Sequence, residues 1–271
     1  MISFVGAGPG APDLITLRGA ARLAAAEVVV WAGSLVPEAL LAHCRPGITI
    51  HDSATMTLED VLAVYAAHDE ATPIVRLHSG DPALYGAIAE QMDWCLAQQR
   101  SFEIVPGVSS VAAAAAALGR ELTVPGVSQS VVLTRLAGRT AGSMTPGDGV
   151  AAFAAHGATM AVFLSAARPD ELVAELLAPG SGYGPDTPAA VVVRASWPDE
   201  IVVRTTVARL AADLRATGAT MTALVLVGEA LAGGPVRRRS HLYEPGYTTA
   251  YRLRSPAGST EGRPSARRSG R

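Results

Sequence analysis

Three glycine-containing segments each follow an apolar run. They are Gly6-Ala7-Gly8-Pro9-Gly10, Ser79-Gly80-Asp81-Pro82 and Pro106-Gly107-Val108-Ser109-Ser110. Glycine lets a ligand come close to the backbone, and hydroxyls or a carboxylate beside it supply hydrogen bonds. Asp81 could accept from a ribose or an amine, and Pro82 fixes the exit towards a helix. Each piece also has a plainer use. Gly-Asp-Pro is an ordinary turn, and Ser109 or Ser110 can cap a helix without touching a ligand. Three such loops at strand ends nevertheless favour one shared cleft over three idle turns.

The first loop invites comparison with a dinucleotide site, but its chemistry is wrong for one. Its spacing is G-x-G-x-G, not G-x-G-x-x-G, and Pro9 removes a backbone N–H where a pyrophosphate needs donors. The second apolar run ends in Trp31-Ala32-Gly33, with no acid to hold a ribose; Glu27 stands at its other end. A nicotinamide-dependent oxidoreductase is therefore disfavoured. His78 sits beside the second loop, where a general base and a structural, hydrogen-bonded histidine are both open readings, and no base is assigned. Cys44 and Cys95 lack metal-site spacing and read as core fillers in a reducing compartment. No metal is expected.

Short strands alternating with helices must carry these loops. Strands are expected at Ile2–Val5, Val28–Trp31, Thr49–His51, Ile74–Leu77 and Phe102–Val105. Helices are expected at Leu17–Ala26, Pro37–Cys44, Thr57–Asp69, Leu84–Gln98 and 110–118, with Thr57 and Asp60 as a capping pair. The turn-rich stretch Glu121–Ser128 marks a boundary. Beyond it, strands are expected at Val131–Thr134, Met160–Leu164, Ala189–Val193, Ile201–Thr205 and Ala223–Val227, some of the later ones as hairpins, with helices near 149–156, 168–177 and 206–217. The fold class is α/β in two domains, 1–124 and 125–235, each a mixed, mostly parallel sheet flanked by helices. A tail, 236–271, is expected to be largely disordered after about 254. In an open parallel sheet, ligands bind outside the carboxyl ends of strands, where all three loops stand.

Composition narrows the partners. Hydrophobic residues make up 49% of the 271 residues and aromatics 5%, which suits a packed α/β core and not a base-stacking surface. All 22 basic residues are arginines, and nine of them lie after residue 232, so the rest of the chain is distinctly acidic. Such a body attracts no nucleic acid in general, and an anionic substrate would need a local arginine cluster. No apolar run reaches the ~18 residues of a membrane span. A cytoplasmic protein is expected.

Together the loops resemble the tetrapyrrole (class III) methyltransferases over Ile2 to about Arg252. The general signature is Val5-Gly6-Ala7-Gly8-Pro9-Gly10 with Leu14-Ile15-Thr16-Leu17-Arg18-Gly19, then Ser79-Gly80-Asp81-Pro82, then Val105-Pro106-Gly107-Val108-Ser109-Ser110. Narrower segments resemble the branch that methylates C11 of precorrin-4. They are Trp31–Val36, His51–Leu58, Val127–Thr140, His156–Met160 and Ser240–Tyr243, although Trp31 and Ala137 replace the tyrosine and glutamate common there. Sister branches acting on uroporphyrinogen, on C20 or C17 of corrins, or on diphthine share the loops; His51–Leu58 and Ser128–Thr140 separate them. A nucleotide-sensing module is the non-enzymatic alternative.

The resemblance implies a homodimer whose two domains enclose S-adenosylmethionine. It implies transfer of a methyl group to C11 of precorrin-4, giving precorrin-5 and S-adenosylhomocysteine in cobalamin biosynthesis; a cobalt-containing ring is the alternative acceptor. By position, Pro9, Ser79, Gly80, Asp81, Leu84, Ser109 and Ser110 would contact the cofactor, with Ser165, Ala195 and Ala223 from the second domain. The first loop would mainly floor the tetrapyrrole trough. The acceptor's acetate and propionate carboxylates make Arg18, Arg76, Arg135 and Arg139 candidates to hold it; surface ion pairing is the competing use. Asp52 and Ser53 could orient a ring nitrogen or relay its proton, and Asp52 could equally cap a turn.

Overall fold

The structure is a computed structural model and describes residues 1–137, 142, 144, 145, 147–234 and 240–259. Five strands form a first, wholly parallel sheet: β1 (Ile2–Gly6), β2 (Val28–Trp31), β3 (Thr49–Asp52), β4 (Ile74–His78) and β5 (Phe102–Val105). Their order is β3-β2-β4-β1-β5. β1, β2 and β4 are almost wholly buried, as parallel strands between helices must be, and are apolar except for Ser3, Arg76 and His78. Val5 pairs with Leu77 on one side and Val105 on the other, so β1, β4 and β5 end side by side. That register brings the three glycine loops out at one edge.

Helix α1 (Leu17–Ala25) covers one face, capped by Thr16, whose hydroxyl accepts from Gly19 N at 3.1 Å. Helices α2 (Leu58–Ala66) and α3 (Ala89–Ala97) cover the other. The expected capping box is present: Thr57 Oγ1 accepts from Asp60 N at 3.3 Å, and the Asp60 carboxylate accepts from Thr57 N at 2.9 Å. The helix expected from Leu84 starts only at Ala89. Residues 83–88 instead run irregularly, with Tyr85 at φ 59° and Ala87 at φ 50°, a conformation no right-handed helix admits.

The second sheet has the order β6-β7-β10-β8-β9, made of β6 (Val131–Arg135), β7 (Thr159–Phe163), β8 (Pro188–Val193), β9 (Ile201–Thr206) and β10 (Ala223–Val227). It is mixed, as expected, but its balance is antiparallel. Among the described residues β6–β7 is its single parallel pairing, because β8 turns straight back into β9 without a crossover helix. Over both sheets, parallel pairings remain the majority. Helices α5 (Val150–Ala154), α6 (Pro169–Leu176) and α7 (Leu210–Ala216) bury one face.

The other face is covered by α4 (Ser110–Ala117), which belongs to the first half of the chain. Its Val111, Ala113 and Ala114 meet Ala161, Ala190, Val192, Leu224 and Leu226 of the second sheet. The alanine run lets helix and sheet approach closely, so α4 ties the two halves together.

Candidate active site

The three loops interlock through their backbones. Ala7 N donates to His78 O at 2.7 Å, and Gly8 and Gly80 exchange N–H···O bonds at 3.2 and 2.8 Å. A Cβ on Gly6 would stand 2.5 Å from Gly107 Cα, and one on Gly107 only 2.1 Å from Gly80 O. Both positions therefore need glycine for close approach. Asp81 joins the second and third loops, since its carboxylate accepts from Ala83 N at 2.8 Å and Gly107 N at 2.9 Å. Ser109 caps α4, accepting from Val111 N at 3.3 Å. Gly80 is different: it lies at φ +64°, and beyond its missing side chain no atom comes nearer than 3.8 Å. That space is left open by the protein.

It opens into a cavity of about 970 Å³ between the two sheets, near the upper end of ordinary small-molecule sites. The first half contributes Pro9, Ser79, Gly80, Asp81, Leu84, Ser109 and Ser110 to its wall, and the second half Ala195 and Ala223. All nine are among the residues that the family resemblance implied for the cofactor. Ser165 is the exception: it is fully buried, with its hydroxyl on Val162 O at 3.3 Å, while Leu164 and Ala166 beside it reach the cavity.

Sequence reasoning missed a clasp between the halves. In the β8–β9 connection, Trp197 donates its indole N–H to Pro9 O at 3.0 Å, and Ser196 Oγ accepts from Ala11 N at 2.9 Å. The indole lies where a Cβ on Gly10 would be, 2.1 Å from Cδ1, and Arg194 stacks on it with its guanidinium carbon 4.0 Å from the ring centre. Tyr85 crosses the other way and packs on Phe163, with centroids 4.9 Å apart. Four non-glycine residues of the cavity wall, Tyr85, Leu164, Arg194 and Thr222, have left-handed backbones. Such strain concentrates where a site must be held in shape.

The cavity wall also includes Ala32 and Leu35, and with them Arg76 and His78. Both are buried in the first sheet. Burial lowers the pKa of Arg76, yet a guanidinium stays charged at any ordinary pH. Burial first, and the Arg76 charge second, push His78 down to about 3. The imidazole is thus neutral at pH 7 and too weak a base to take up a proton there.

Of the residues expected to meet the acceptor, Arg76 alone lines the cavity among those described. Asp52 accepts from Gly33 N at 3.1 Å and Ala54 N at 2.9 Å, the bonding of a turn cap. Ser53 Oγ donates to Trp31 O at 2.9 Å and accepts from Arg76 at 3.0 Å. Arg18 is exposed on α1. Arg135 ends β6 next to Leu136 of the cavity wall, and its charge opposes the burial that raises the Tyr85 pKa. Arg139 lies outside the described residues.

Comparison with known proteins gives a consistent picture. A model of the tetrapyrrole (corrin/porphyrin) methylases matches residues 1–211. A precorrin-4 C(11)-methyltransferase of Rhodococcus erythropolis is 47% identical over 232 residues, which are 85% of this chain and 92% of that protein. The crystal structure of a cobalt precorrin-4 methyltransferase of cobalamin biosynthesis superposes with a TM-score of 0.81 at 42% identity, covering 86% of this chain and 96% of that one. A uroporphyrin-III C-methyl transferase from Thermus thermophilus, solved with S-adenyl homocysteine, gives 0.68 at 28% identity, with coverage of 85% and 98%.

Proposed function

Since this chain belongs to the tetrapyrrole (corrin/porphyrin) methylase family, we propose that it methylates C11 of precorrin-4 with S-adenosylmethionine, giving precorrin-5 for cobalamin synthesis. The cavity between the two sheets carries the reading: it is built on the three glycine loops and walled from both halves. Its size suits the donor with room beside it for the edge of an acceptor. Apolar walls at Leu84, Leu136, Leu164 and Ala223 suit the adenosyl group, while Ser79, Asp81, Ser109 and Ser110 offer hydrogen bonds to its polar ends.

S-adenosylmethionine supplies a methyl group already activated on a sulfonium. The chain's task is therefore alignment, and holding two partners in attack geometry supplies up to ~7–11 kcal/mol of a barrier. Pro9, Gly80 and Trp197 would fix the donor against the acceptor side. The apolar wall excludes water where positive charge disappears in the transition state. Neutral His78 adds no further positive charge to the site. The protein acts as a homodimer in this reading, as the sequence resemblance implies.

The acceptor is proposed as the metal-free ring, following the relative of highest identity among those described above; the fold neighbour named for a cobalt ring makes the cobalt form the second reading. Incubation with S-adenosylmethionine and each acceptor, followed by mass spectrometry and location of the new methyl group, tests both. The expected result is one added methyl on C11 of precorrin-4. Failure to methylate either ring would refute the proposal.

A further inference from the structure

Arg76 is an anomaly as a purely structural residue. It is 9% exposed, sits in the middle of the first sheet, and forms no ion pair among the described residues. Its described hydrogen bonds both go to neutral groups, Val30 O at 3.3 Å and Ser53 Oγ at 3.0 Å, through one nitrogen, Nη1. Its Nε is buried without a partner. The titratable groups around it do not balance its charge. His78 is neutral, and burial raises the Tyr65 pKa, so that hydroxyl keeps its proton. A buried cation without a counter-charge is strongly unfavourable. A chain that keeps one in a ligand cavity gains from it only when an anion arrives.

Resting on the acceptor reading above, we propose that Arg76, steadied by Ser53, is the receptor for a single carboxylate arm of the tetrapyrrole and thereby selects which ring carbon is methylated. A tetrapyrrole presents four similar rings in sequence, so apolar contact with the macrocycle discriminates poorly between rotated placements. One buried guanidinium breaks that near-symmetry, because only one placement puts a carboxylate on it. A misplaced ring leaves the cation unpaired, and the penalty for an unpaired buried charge is where the selectivity arises. Ser53 has a defined part: its hydroxyl is bonded on one side to Trp31 O and on the other to Arg76, so it fixes the side chain's direction without adding charge.

The test is a pair of substitutions, Arg76→Met and Arg76→Lys, with readouts that separate binding an anion from holding the fold. Arg76→Met should melt at or above the wild-type temperature, because it removes an uncompensated buried charge. Its affinity for S-adenosylhomocysteine by calorimetry should stay within about twofold. Its KM for the acceptor should rise about tenfold to a hundredfold, the range for losing a charged hydrogen bond, and products methylated away from C11 should appear. Arg76→Lys should recover part of the affinity. Titration with uroporphyrin, a ring bearing eight carboxylates, should show the same ranking without any chemistry.

Wild-type acceptor KM and wild-type product in Arg76→Met would overturn the proposal while leaving the methyltransferase reading intact. So would parallel loss of melting temperature and S-adenosylhomocysteine affinity, which marks a structural role. Absence of methyl transfer by the wild type would instead sink the underlying reading, and equal uroporphyrin binding by wild type and Arg76→Met would still decide against the receptor.

Discussion

Gly107→Ala is a sharp perturbation because it adds one methyl group at a position with no dihedral penalty. Gly107 does not lie in the left-handed region, so the whole effect is steric. The new Cβ would stand 2.1 Å from Gly80 O and 2.7 Å from Gly6 Cα. An ordinary carbon–oxygen contact is roughly 3.3 Å, so the second and third loops must part by about 1 Å, and all nearby atoms are backbone. Overpacking of this kind costs ~1–3 kcal/mol of stability. The functional loss should be larger, because a displacement of ~1 Å at a reacting site costs ~10²-fold in rate. Gly184→Ala is the matched control, since a Cβ there meets nothing within 4 Å. The assay is thermal melting, S-adenosylhomocysteine calorimetry and methyl transfer for both variants. Gly107→Ala with wild-type melting and affinity within twofold would refute the interlocked-loop account.

Three further outcomes are expected. Asp81→Ala frees Gly107 N and Ala83 N from the carboxylate and should weaken S-adenosylhomocysteine binding about tenfold, ~1.4 kcal/mol, by calorimetry. Trp197→Phe keeps an aromatic ring against Gly10 but loses the bond to Pro9 O, costing ~0.5–1.5 kcal/mol in chemical denaturation; Trp197→Ala should cost more. His78 is held neutral in the fold but takes up a proton near pH 6.5 when unfolded. Between about pH 3 and 6.5 the unfolded chain binds the extra proton, so this contribution to stability falls as pH falls. From pH 7 to pH 5 the loss is ~2 kcal/mol, and His78→Asn should flatten that part of the denaturation profile.

What could be read from the sequence was local. The three loops were visible because glycine and proline punctuate apolar β-branched runs, and the register of β1, β4 and β5 follows from burying those runs together. The capping pair at Thr57 and Asp60 was visible because its chemistry spans three residues. What stayed hidden depends on distant partners. Nothing in Pro82–Ile88 announces left-handed backbones at Tyr85 and Ala87; the Tyr85 ring is placed by Phe163, far along the chain. Ala195-Ser196-Trp197-Pro198 reads as an ordinary turn, and its partner, the first glycine loop, lies near residue 10. Arg76 was legible as a candidate arginine, but its lack of a counter-charge is a property of the packed sheet. Arg139 and the tail from residue 260 lie outside the described residues.

The clasp also dictates an order of events during synthesis. Pro9 and Trp197 are 188 positions apart, so the amino-terminal glycine loop leaves the ribosome long before the residues that secure it. At ~5–20 residues per second the interval is about 10–40 s. Through that time the first sheet can assemble, yet the ligand chamber lacks one wall and the loop's carbonyl has no indole to bind. Competence to hold a methyl donor therefore arrives late, once the β8–β9 turn has emerged to close on a floor laid down at the start and Thr222 and Ala223 have followed with β10.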